Sequence, residues 1–131
     1  MTELRTDGPH SPDYTREVGN VLAEAVRTLN YATLGDCPGL EYPDEADRLL
    51  RDVTTALDRL PQLLEQVRGW LGDRALAGVV GHDQGKDVAR SVSITGGALI
   101  SAAGHLVTAS GILRDATAET SHLTGRGDGD E

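Results

Sequence analysis

Few side chains in this sequence are placed to do chemistry. His105 has Thr108 and Ala109 at the helical positions where a second metal ligand would stand, so the spacing of a zinc-type site is missing. It reads as a hydrogen-bonded core or interface histidine rather than a ligand or a proton switch. His82 and Asp83 precede the last helical segment, where a carboxylate accepts the free N–H groups of a first turn. Asp83 is therefore expected to cap that helix. Cys37 stands beside Pro38 with no local base or positive field to lower its pKa, which makes it a plain loop cysteine. As the single cysteine it allows neither an intramolecular disulfide nor a multi-cysteine metal site. The run from Gly78 to Gly85 lacks the GK[ST] ending of a phosphate loop and follows no strand. Arg126-Gly127-Asp128 spells an adhesion tripeptide, read here as an accident of a charged, glycine-rich end. No acid/base pair, nucleophile elbow or metal spacing emerges, so no catalytic, cofactor-binding or metal residue is assigned and the chain is not expected to be an enzyme.

The elements around these residues are three helical segments. Ser11-Pro12-Asp13 is an N-cap followed by proline at the first helical position and an acid in the first turn. The first segment then runs to about Thr33, with Val18, Leu22, Ala25, Leu29 and Ala32 forming a face broad enough to be buried. Gly35-Asp36-Cys37-Pro38-Gly39 breaks it. The second segment opens at Pro43 with Asp44, Glu45 and Asp47 against the positive end of its dipole. Its seam is Leu50, Val53, Leu57, Leu60, Leu64, Val67 and Leu71, a three-four alternation that predicts lengthwise packing against other helices. Asp44 with Arg48, Asp47 with Arg51, and Glu65 with Arg68 fall at pair spacings on a solvated side. Pro61 interrupts the backbone ladder, and because the seam keeps phase across it a kink is expected rather than a reversal.

The third segment spans about Gly85 to Ser121 and holds no Asp, Glu, Lys or Arg between Ser91 and Leu113. Its expected seam joins Val88, Val92, Leu99, Leu106 and Leu113 to Thr95, Ala102, Ala109 and Ala116. Gly97, Gly104 and Gly111 recur every seven residues and so fall on nearly one line. That line is expected about 180° from the seam, with Ile100 and Val107 on one shoulder and Ile94 and Ile112 on the other. Glycine costs up to about 1 kcal/mol in a helix interior relative to alanine, so a stripe of it suggests a surface that another backbone approaches closely. Gly97, Ile100, Gly104, Val107 and Gly111 are the expected interface.

Composition narrows the partners. Twelve basic and 21 acidic residues give a net charge of −9, which opposes binding to a phosphate backbone, and nucleic acid is not expected. With no Phe, one Trp and three Tyr, the core must come from Leu, Val, Ile and Ala. The polar stretch from Met1 to Pro12 holds no apolar run of signal-peptide type, and a single cysteine suits a reducing cytoplasm. Lipid is the competing environment for the third segment, whose uncharged stretch spans about 34 Å as a helix. Its Ser, Thr and Gly content and His105 favour a soluble bundle or oligomer over a membrane span.

Two resemblances extend this reading. Asn30-Tyr31-Ala32-Thr33-Leu34, Gly39-Leu40-Glu41-Tyr42-Pro43 and Arg59-Leu60-Pro61-Gln62-Leu63-Leu64 resemble segments of small helical proteins of actinobacteria, a resemblance that covers about half the chain and implies no established activity. Trp70-Leu71-Gly72 is similar to the Trp-x-Gly turn of the WXG100 secreted helical hairpins. The chain departs from that family by an extra N-terminal helix and by lacking a tyrosine-containing secretion signal after the third segment.

The expected architecture is all-α, an up-down-up antiparallel three-helix bundle kinked at Pro61. Residues 1–10 are expected as a flexible tail, 11–122 as the helical domain and 123–131 as an acidic tail. The expected function is a noncatalytic interaction module that binds a second copy or another helical protein through the third helix. A WXG100-like secreted protein and a membrane-associated protein are the alternatives.

Overall fold

The computed structural model describes residues 2–36 and 38–125, so Cys37 and Arg126-Gly127-Asp128 lie outside the described residues. Among the described residues the fold is all-α with three helices, α1 (Pro12–Ala32), α2 (Pro43–Leu76) and α3 (Val88–Thr120). The region expected as one helical domain divides into two compact units, Met1–Tyr42 and Pro43–Glu131.

In the first unit Ser11 caps α1, its hydroxyl accepting the Tyr14 N–H at 3.1 Å, with Pro12 opening the first turn. The Tyr14 hydroxyl donates to the Glu3 carbonyl and accepts the Arg5 N–H, each at 2.7 Å, and the Arg5 guanidinium lies over the ring. At the other end Gly39 approaches Ala32 so closely that any β-carbon would collide with the Ala32 carbonyl. The apolar face expected to be buried is not: no residue of α1 is buried, and Leu22, Val26 and Leu29 are exposed. Within its own unit α1 has only the flanking segments to pack on.

In the second unit α2 is continuous through Pro61. It ends where Gly78 takes a left-handed φ of 73° and the N–H groups of Gly78 and Val79 return to the carbonyls of Ala75 and Arg74. The cap of α3 is Asp87, whose carboxylate accepts the Ala89 N–H at 3.1 Å. Asp83 does not fill this role. It stands several residues before the first turn and its side chain is exposed.

α2 and α3 pack antiparallel along their lengths. Thr120 donates to Asp47 near one end, Ser110 donates to Asp58 in the middle, and Gly96 lies against the Arg68 stem further on. The facing positions are Leu50, Leu57, Leu64 and Leu71 with Thr54, Pro61 and Arg68 on α2. On α3 they are Val92, Leu99, Leu106 and Leu113 with Gly96, Ala103, Ser110 and Thr117. The leucine lines are the expected ones, but the second line of each seam is displaced by one residue. Thr54, Gly96, Ser110 and Thr117 are the buried positions, whereas Val67 is 41% exposed and Thr95, Ala102 and Ala116 are exposed. Small side chains in the contact let the two backbones approach.

Among the described residues no apolar side chain is fully buried. The seam leucines are half-covered, so Leu57→Ala should lower stability by about 1 to 2 kcal/mol, below the roughly 2 to 5 kcal/mol of an enclosed core leucine. Chemical unfolding at equilibrium measures this directly.

Candidate interaction surface

The expected chemical residues are dispersed. His105 is exposed on α3 rather than held in a core. His82 accepts the Gln84 N–H through Nδ1 at 3.1 Å and stands 3.6 Å from the Asp83 carboxylate, an arrangement local to the loop. Among the described residues no three His, Cys, Asp or Glu side chains gather as metal ligands. An open cleft of about 550 Å3 at the closed end of the hairpin, lined by Leu76, Val80, Val88 and Val92 among others, has no charged residue in its wall.

What the hairpin does present is two sides of opposite character. Asp58 and Arg114 each follow a facing leucine by one position, and their side chains form an ion pair. This pairing places the positions one residue after the seam on the same side for both helices. The positions one residue before the seam then share the other side, because the two helices run antiparallel with one handedness.

The first side carries the expected interface. Gly97, Gly104 and Gly111 face open space, with nothing within 4 Å of where a β-carbon would stand. Ile100 and Val107 beside them are 59% and 62% exposed. The stripe is closer to the seam than 180°, because the seam includes Gly96, Ala103, Ser110 and Thr117 instead of their preceding neighbours. Next to it α2 offers polar groups, including Glu65 paired with Arg68 and Asp47 paired with Arg51 at 2.9 Å.

Hydrogen bonds across the seam set the electrostatics. The Ser110 hydroxyl, fully buried, and then the Arg114 guanidinium hold the Asp58 carboxyl below its ordinary 3.8. Thr120 and then Arg51 do the same for Asp47, also ordinarily 3.8. A carboxyl depressed in the folded chain contributes stability above its unfolded value and loses it as pH falls through the folded one. The hairpin should therefore keep full stability at neutral pH and weaken progressively below about pH 3.8, where unfolded carboxyls begin to hold protons more tightly than folded ones. Denaturant midpoints at neutral and acid pH check this, and Asp58→Asn should flatten the acid slope.

The second side went unrecognised in the sequence. On α2 it is built from Leu49, Val53, Ala56, Leu60, Leu63, Val67 and Trp70, a second three-four alternation. On α3 it holds Thr95, Ala98, Ala102, His105, Ala109 and Ile112. Over these positions neither line contains Asp, Glu, Lys or Arg, and the next position of the α2 line is Arg74. Trp70 is 57% exposed, with the Arg74 guanidinium over its ring. Trp70, Leu71 and Gly72 lie inside α2, before the connection that joins it to α3. Compared with protein-family models, curated proteins and solved structures, the chain finds no match.

Proposed function

We propose that this protein is a noncatalytic helical interaction module that self-associates through the face of α3 formed by Gly97, Ile100, Gly104, Val107 and Gly111. The observation that carries this reading is the open space over three glycines in register, flanked by exposed Ile100 and Val107. Glycine in a helix interior is a cost the sequence could avoid with alanine, and close backbone approach is what offsets it. The charged groups of α2 beside the stripe limit the contact to a single helix, which suits α3 of a second copy.

Light scattering on the full chain over a range of concentrations tests the reading. A mass well above 13.8 kDa that Gly104→Leu reduces is expected, and a 13.8 kDa particle at every concentration overturns it. A lipid-facing α3 is the second reading, favoured by a helix long and apolar enough to cross a membrane. A WXG100-like role draws on the α2–α3 hairpin, although Trp70-Leu71-Gly72 sit within α2 and not in the turn.

A further inference from the structure

The apolar stripes of α2 and α3 are not centred on each other. On α2 the line beside the seam leucines that faces α3 holds Thr54, Pro61 and Arg68, while the line that faces sideways holds Val53, Leu60 and Val67. On α3 the facing line is Gly96, Ala103, Ser110 and Thr117, and the sideways line adds Ala102, Ala109 and Ile112. Both stripes thus tilt toward the same side of the hairpin, away from the Asp58–Arg114 ion pair. A helix buries the centre of its apolar stripe. The pair by itself covers only one edge of each stripe, in keeping with the absence of a fully buried apolar side chain among the described residues.

We infer that this second side is an interface between copies of the chain, in which the Leu63–Val67–Trp70 surface of one hairpin packs on the same surface of another. Three observations select a second copy as the occupant. Between Leu49 and Trp70 its two lines hold no Asp, Glu, Lys or Arg, so a twofold contact there sets no like charges against each other, and Arg74, next on the α2 line, lies over the Trp70 ring at the end of the face. It is two helices wide, about 20 Å, whereas one helix of about 10 to 12 Å diameter would leave half of it wet. From Leu49 to Trp70 it is about 32 Å long, so a copy-to-copy contact would bury on the order of 1,300 Å2 in total, within the range of specific interfaces. The result is an antiparallel bundle of four helices whose core is completed by the copy.

This inference concerns the side opposite the glycine stripe and does not rest on the self-association proposed there. Trp70 is the only tryptophan, so its emission reports on this side alone. In a dilution series of the full chain, rising concentration should shift the emission to the blue and reduce quenching by iodide, in step with the mass from light scattering. Leu63→Glu, at an outward position that is 47% exposed in the hairpin, should abolish the concentration dependence while circular dichroism stays helical. Leu63→Gln provides a milder variant should the glutamate disturb the fold. Gly104→Leu should lower the mass yet leave the Trp70 shift in place, which separates the two faces. Trp70 exposed at every concentration, or shielded already in a 13.8 kDa particle, overturns the inference.

Discussion

Gly104→Leu is expected to reduce the assembled mass of the protein while leaving its helices intact. The direction over Gly104 is open, with nothing within 4 Å of where a β-carbon would stand. Leucine is also the better helix former, by up to about 1 kcal/mol at an interior position, so the isolated hairpin should become slightly more stable. The opposing effect arises between chains. A helix that lies against Gly104 at close range has no room for an isobutyl group, and moving it outward also loses its contacts with Ile100 and Val107. A fall in mass at high concentration, combined with a rise in unfolding midpoint at dilutions where both proteins are 13.8 kDa particles, is therefore the signature of a contact glycine, because assembly itself raises the midpoint by mass action. Unchanged mass at all concentrations removes the stripe from the interface.

Helix ends were readable where backbone chemistry is local. Ser11 and Pro12 mark the start of α1, and Pro43 with Asp44 and Glu45 marks that of α2, because a cap or a proline acts on its own turn. Asp83 and Asp87 flank the same connection and have the same chemistry, so composition could not choose between them. The turn at Gly85, with φ of 67°, places Asp87 against the Ala89 N–H. Seam registration failed for a different reason. The leucines stand out from their neighbours, but the residues beside them do not face inward in order of hydrophobicity. Valines at Val53 and Val67 outrank Thr54 and Arg68 on any apolar scale, yet it is the latter that meet α3, because small groups and a flexible stem let the backbones close. The Ser110–Asp58 hydrogen bond joins positions far apart in sequence and has no spacing signature. The side holding Trp70 has no separate signature because Val53, Leu60 and Val67, which belong to it, alternate with the seam leucines at the same spacing.

The full chain is expected to remain in solution without detergent and to stay at the bottom of a flotation gradient when mixed with liposomes. α3 meets the length and composition of a membrane span, so the decision rests on what is attached to it. Along its whole length α3 is joined to α2, which carries Asp47, Arg51, Asp58, Glu65 and Arg68 on or next to the contact. Taking the pair into a bilayer would place those groups at membrane depth, at a cost of roughly 2.5 to 3.5 kcal/mol for each charged side chain near the centre even on the lower scales. Taking α3 alone would strip Ser110 and Arg114 from Asp58 and Thr120 from Asp47. It would leave the Ser110 hydroxyl to find a new partner in hydrocarbon. Covering the apolar sides with protein keeps these hydrogen bonds and exposes the ions to water. Flotation with vesicles that survives carbonate washing, together with aggregation in plain buffer, would reverse this conclusion and assign α3 to lipid. In that event Leu63→Glu on α2 should leave flotation unchanged, whereas a charge at Ile100 should prevent it.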